Sequence, residues 1–141
     1  MDKFIFLDHT ADIMFDAFGF SVEEAFENAA GALFSVTCHL DRLKGSSREV
    51  KVVEQADSLE ELFAFALNDL VGESDSQELF FREFKVGKLR QENDAWRLEG
   101  VATGFDFTPE AGNTHVKSVT HHGTQVVQEG GRWRARILLD I

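Results

Sequence analysis

Asp140 and the terminal carboxylate of Ile141 place two anions one residue apart, at the end of a strand pattern formed by Trp133, Ala135, Ile137 and Leu139. A chain end ordered against a core brings those anions together. At ~4 Å their repulsion near a protein surface is on the order of 4 kcal/mol. Something positive must offset it, either an arginine or a bound cation. Asp8 and Asp12 lie in a kinked polar segment between two apolar runs, a place where carboxylates converge on an ion. Ligand sets built only of oxygen favour Ca²⁺ or Mg²⁺ over zinc.

The other reactive residue types point to less. His9, His39, His115, His121 and His122 form no H-E-x-x-H or comparable metal spacing. His121 and His122 read as neighbours on a strand, facing opposite sides and unable to share one ion. There is no G-x-S-x-G elbow, P-loop or dinucleotide fingerprint. Cys38 is the single cysteine, which excludes an intramolecular disulfide and a Cys-rich zinc site. It follows a helical pattern, where the dipole raises a thiol pKa, so a buried structural thiol is expected. Arg132, Arg134 and Arg136 alternate opposite Trp133, Ala135 and Ile137. They read as a solvated strand face neutralised by nearby carboxylates, the alternative being a basic strip for an acidic partner or an RNA backbone.

These residues need a scaffold. Phe4 to Leu7 is a short strand-forming run, and Ile13 to Phe20 resumes at period two, with Asp16 on the face opposite Ile13, Phe15 and Ala17. The two runs are two strands, or one bent at His9-Thr10-Ala11. Ser21-Val22-Glu23-Glu24 is a capping box in which Glu24 reaches back to the Ser21 N–H. It opens a helix over about 22–37 carried by Val22, Ala25, Phe26, Ala29, Leu33 and Val36. Val50 and Val52 mark a strand. Ser58-Leu59-Glu60-Glu61 opens a second helix, with Gly72 placed as its left-handed C-terminal residue. Beyond about residue 78 only strands and loops are expected. Asn93-Asp94 and Gly130-Gly131 are turns, Phe107 to Thr114 is a loop, and Val116 to Val127 is a strand. The order β β α β α β β β β describes an α+β fold, two helices on a mixed or mostly antiparallel sheet in two layers.

The chain has 141 residues, the size of one domain spanning 1–141. It is 43% hydrophobic and 28% charged, which argues against disorder. Fourteen basic against 25 acidic side chains give a net charge of −11, which repels phosphate backbones, so direct nucleic-acid binding is not expected. No apolar run is long enough to span a membrane, and Met1 to Phe6 lacks the regions of a signal peptide, so the expected location is cytoplasmic.

Asp8-His9-Thr10-Ala11-Asp12, followed by Val22-Glu23-Glu24-Ala25-Phe26-Glu27-Asn28-Ala29-Ala30, resembles the N-terminal signature of the archease family. Val116 to His122 and the ending Leu138-Leu139-Asp140-Ile141 resemble two further family motifs, in the same order. Leu67-Asn68 and Glu78-Leu79-Phe80 fit as well. Departures are Asp8 where the family has Glu, Ala66 where it has Trp, His121 where it often has Tyr, and a shortened loop over 104–114. No role is carried over to Asp106 or His115.

The resemblance implies a small activating protein without catalysis of its own. It would assist an RtcB-type RNA ligase of tRNA splicing and RNA repair, promoting the ligase's guanylylation and multiple turnover. It also implies a divalent-metal site, with Ca²⁺ the ion associated with the family and Mg²⁺ possible, whose ligands map onto Asp12, Asp140 and the terminal carboxylate of Ile141. A chaperone-like or modulator role has been inferred for the fold. The competing readings are a metal-dependent hydrolase using Asp12, Asp140 and a histidine such as His9, and a general chaperone binding apolar segments. The oligomeric state is not legible.

Overall fold

The computed structural model describes residues 2–8 and 12–141. Helix α1 (Val22–Thr37) begins where the capping box places it: Ser21 Oγ accepts from the Glu24 N–H at 3.1 Å. The Glu24 carboxylate reaches one residue further back than expected, to the Phe20 N–H at 2.9 Å. Helix α2 (Leu59–Gln77) begins the same way, with Ser58 Oγ accepting from the Glu61 N–H at 3.1 Å.

Gly72 does not end α2. The helix continues through Glu73-Ser74-Asp75-Ser76-Gln77, and Glu78 takes the left-handed position at φ 54° and ψ 52°. Its N–H donates to Ser74 C=O, and Ser74 Oγ donates to Leu79 C=O at 2.5 Å. Those extra residues are polar and carry no apolar period, so the local cap made by Ser74 and Glu78 rather than the hydrophobic pattern sets the end.

The strands form two sheets, every pairing antiparallel. In the first, β1 (Phe4–Leu7) pairs with β2 (Ile13–Gly19), and β2 pairs with β8 (Arg132–Asp140). The far edge of β8 is shared by two short strands, β6 (Ser118–Val119) and β7 (Gln125–Glu129). In the second sheet β5 (Ala95–Asp106) lies between β3 (Arg48–Ala56) and β4 (Leu79–Glu92). An α+β fold of two helices on antiparallel sheets is therefore what the chain adopts. The period-two pattern identifies strands but not their partners, which is why the division into two sheets is not visible in it.

The strand expected over Val116 to Val127 is broken. A 3-10 turn at His121–Gly123 separates β6 from β7, with Thr124 Oγ1 donating to Thr120 C=O at 2.9 Å. His121 and His122 lie in that turn rather than on a strand. Both short strands still pair with β8 because the chain detours around Leu138, whose side chain lies 3.6 Å from the position a Gly123 Cβ would take. The remaining connections follow their turn chemistry. Asn93 and Asp94 join β4 to β5 with φ of 50° and 67°, and Gly130 and Gly131 join β7 to β8 with φ of 55° and 82°. Positive φ at both central residues is the two-residue hairpin geometry that matches strand twist.

The helices bury their apolar faces against both sheets. Helix α1 lies against β2 and β4, and α2 lies mainly against β3, β5 and β6. Phe26 of α1 meets Phe63 of α2 edge to face at 5.1 Å and Phe84 of β4 at 5.3 Å. Phe15, Ala17, Ala135, Ile137 and Leu139 of the first sheet are fully buried beneath the helices. Their sequence neighbours therefore point to the other face of that sheet, where the candidate carboxylates lie.

Candidate functional site

The site is set by the pairing of β2 with β8. Ile13 lies opposite Leu139, Phe15 opposite Ile137 and Asp16 opposite Arg136. Carried one residue outward, this register brings Asp12 opposite Asp140. Leu139 is buried in the core, so Asp12 and Asp140 share the outer face. On its other side Asp140 is the register partner of Ser118 in β6, and its C=O accepts from the Lys117 N–H at 2.8 Å. Strand β8 thus ends between the Asp12 segment and β6, with Ile141 next in the chain and 40% exposed.

Like charges directly opposite on antiparallel strands repel. Among the described residues no Lys or Arg side chain pairs with Asp12 or Asp140. No group of three His, Cys, Asp or Glu side chains converges among them either. Two side-chain carboxylates and the terminal carboxylate make an all-oxygen, anionic donor set, which fits a hard cation. Asp8 is described and exposed, whereas His9 lies outside the described residues.

Two outward positions further along the same face, the arginines are already committed. Arg136 donates to both carboxylate oxygens of Asp16, at 2.8 and 2.9 Å. Arg134 lies 3.7 Å from Asp16 and 3.0 Å from Glu129 of β7. Its hydrogen bond holds the Glu129 carboxyl below the ordinary carboxylate range. Arg132 stacks over the Phe18 ring at 4.1 Å. This is the strand face neutralised by neighbouring carboxylates, and it leaves little basic surface for a nucleic-acid backbone.

The other residues marked in the sequence lie apart. Cys38 is buried at the end of α1, with Sγ donating to Phe34 C=O at 3.3 Å; burial pushes its thiol pKa up and the Thr37 hydrogen bond opposes that. His115 lies 3.4 Å from Asp75, both on the rim of an apolar cleft of about 200 Å³ between the C-terminal halves of α1 and α2. Asp106 pairs with Arg48 at 2.6 Å. None of these lines the carboxylate cluster.

Two features are not encoded in residue spacing, although Leu67-Asn68 falls within the family resemblance. Asn68 of α2 bonds both backbone groups of Val119 in β6. The Asp69 carboxyl is pushed up to about 7, first by burial, then by a hydrogen bond to Glu54 and by the charges of Glu54 and Glu73. Both depend on which strand α2 packs against, and no residue spacing along the chain encodes that.

Comparison with known proteins gives one consistent result. The model of the archease protein family matches residues 4–141. The protein archease of Methanosarcina mazei is 34% identical over 141 residues, covering 99% of this chain and 96% of that protein. That of Sulfolobus acidocaldarius is 37% identical, with both chains covered completely. Among solved structures, the solution structure of Methanobacterium thermoautotrophicum protein 1598 superposes with a TM-score of 0.85 at 33% identity over the whole of both chains. The Thermotoga maritima crystal structure, described as an archease and possible chaperone, has a TM-score of 0.59 at 20% identity, covering 96% of this chain and 94% of that one, a likeness of fold alone.

Proposed function

Because this chain belongs to the archease family, we propose that it is a metal-binding accessory protein that activates an RtcB-type RNA ligase in tRNA splicing and RNA repair, promoting the ligase's guanylylation and multiple turnover. The observation that supports this reading is the β2–β8 register, which ends with Ile13 opposite Leu139 and, carried one residue outward, puts Asp12 opposite Asp140, next to Ile141. Asp12, Asp140 and the Ile141 carboxylate would hold one divalent cation, Ca²⁺ or Mg²⁺. When bound, such an ion supplies a compact positive charge that neutralises the cluster and can be shared with a partner's phosphate or carboxylate oxygens.

The chain's own part is positional. Strand β6 pairs with Asp140 and β2 with Leu139 just before it, so the end of β8 that carries Asp140 is held by backbone pairing. The net charge of −11 suits docking on a basic protein surface, where complementary potential raises the encounter rate. Among the described residues no helix is long and apolar enough to cross a membrane.

The hydrolase reading is weaker. His9 lies outside the described residues. Among the described histidines, His39 follows α1 beside Ala111, His115 lies against Asp75, and His121 and His122 sit in a 3-10 turn, so none of these four joins Asp12 and Asp140 in a cluster. The test combines a purified RtcB-type ligase with wild type or Asp140→Asn and follows guanylylation and ligation turnover. Stimulation by wild type that falls with Asp140→Asn in step with Ca²⁺ or Mg²⁺ affinity, measured by calorimetry, supports the proposal. Equal stimulation by both proteins would overturn the metal's role. Phosphoester hydrolysis by the protein alone, lost on Asp12→Ala, would install the hydrolase instead.

A further inference from the structure

Strand β6 is only two residues long, yet it flanks the candidate carboxylates, and something must hold it there. Thr120 N–H donates to Leu138 C=O, and Lys117 N–H, just before the regular ladder begins, donates to Asp140 C=O, each at 2.8 Å. Backbone groups in an antiparallel ladder alternate between the two edges of a strand. Val119, opposite Leu139, therefore turns its N–H and C=O away from β8. Val119 is only 3% exposed, so neither group has ready access to water, and left alone both would be buried orphans. Asn68 answers both: its Oδ1 accepts from the Val119 N–H at 2.7 Å, and its Nδ2 donates to the Val119 C=O at 2.9 Å. One side-chain amide on α2 replaces the missing neighbouring strand, 51 residues away in the chain.

We propose that Asn68 is the positioning residue of the carboxylate cluster: by binding both backbone groups of Val119 it clamps β6 between α2 and β8 and thereby fixes the end of β8 that carries Asp140 and Ile141. The effect on cation binding rests on the function proposed above, whereas the effect on the backbone at Asp140 does not. Without the clamp, β6 keeps only its pairing with the terminal residues of β8, and short strands at a sheet edge open readily. Asp140 and Ile141 then lose the support opposite Asp12.

Asn68→Leu keeps the size of the side chain and removes both hydrogen bonds. Asn68→Asp keeps the acceptor for the Val119 N–H and loses the donor, and serves if the leucine variant fails to fold. Phe26→Leu, a core change remote from β6, controls for stability lost without the clamp. Amide hydrogen exchange at Lys117, whose N–H reports the bond to Asp140, is compared at matched stability, alongside Ca²⁺ calorimetry. In Asn68→Leu, Lys117 exchange should accelerate and Ca²⁺ affinity should fall by about tenfold, the usual scale for groups that orient metal ligands. Asn68→Asp should also accelerate Lys117 exchange, though less, and Phe26→Leu should leave the affinity unchanged. Lys117 exchange in the Asn68 variants no faster than in Phe26→Leu would overturn the proposal. If the wild type binds neither Ca²⁺ nor Mg²⁺, the metal reading falls, and the exchange comparison alone decides whether Asn68 is the clamp.

Discussion

Arg136 grips Asp16 through two parallel hydrogen bonds of 2.8 and 2.9 Å, across the central strand pair β2 and β8. The two partners are unequally buried, with side-chain exposures of 5% for Asp16 and 34% for Arg136. Removing the arginine leaves a buried anion with only Arg134 nearby, whereas removing the acid leaves a cation that can turn to water. Arg136→Met should therefore cost about 3 kcal/mol, and Asp16→Asn distinctly less. Urea unfolding of the two variants checks the order, and equal losses would contradict it.

Asp69 gives the fold a pH dependence of definite sign. In the unfolded chain an aspartate loses its proton near pH ~3.9, but in the folded protein Asp69 keeps it to about 7. Between those values the folded state holds the extra proton, so this group's contribution to stability is full below the lower pKa and is lost as pH rises through the upper one. Asp69→Asn mimics the protonated form. Its urea midpoint should match wild type near pH 4 and exceed it at pH 8. A gap that does not widen with pH would show that burial, Glu54 and Glu73 do not hold the Asp69 proton in the folded state.

The Asp12–Asp140 alignment makes a prediction whose sign depends on the medium. In chelator, Asp12→Asn relieves a cross-strand repulsion and should stabilise the protein by ~0.2–1 kcal/mol. In millimolar Ca²⁺ the order should reverse, because wild type gains stability from the bound ion that the variant lacks. Thermal melts in both buffers read this directly. The same sign in both would show that Asp12 and Asp140 do not share an ion.

The turn between β4 and β5 offers a local check. Asp94 holds φ at 67°, a conformation that costs a non-glycine residue energy. Asp94→Gly should stabilise the hairpin by up to about 1 kcal/mol, while Gly131→Val in the other two-residue turn should destabilise by ~1–2 kcal/mol. Opposite outcomes in calorimetric melting would mean that these turns are held by their strands rather than by their own residues.

What could be read from the residues follows their range of interaction. Ser21 and Ser58 announce their helices because capping is settled within four residues. Trp133 to Leu139 announces a strand because side chains alternate locally. Asp16 could be placed on the outward face, but its bond to Arg136 spans 120 residues and depends on register. The Asn68 clamp was out of reach for the same reason. Gly72 misled because the cap formed by Ser74 and Glu78, itself local, ends the helix further on, and the Val116 to Val127 segment misled because its pairing with β8 is interrupted by the 3-10 turn at His121–Gly123. In the sequence Asp12 and Asp140 are grouped only by resemblance to the archease family, and the β2–β8 register, carried one residue past Ile13 and Leu139, gives a physical reason to consider them together.

Strand β8 sits between β2 on one side and β6 and β7 on the other, and this has a kinetic consequence. A chain synthesised from its N-terminus offers β2 early, yet the arginine that neutralises Asp16 arrives 120 residues later. Until then Phe15 and Ala17 have helix α1 to lie against and β1 on one side but no strand on the other, and β2 presents an open edge there of the kind that recruits other chains. Loops that long close slowly, so the nascent protein passes through an interval in which the β8 side of its first sheet is an unpaired edge exposed to aggregation.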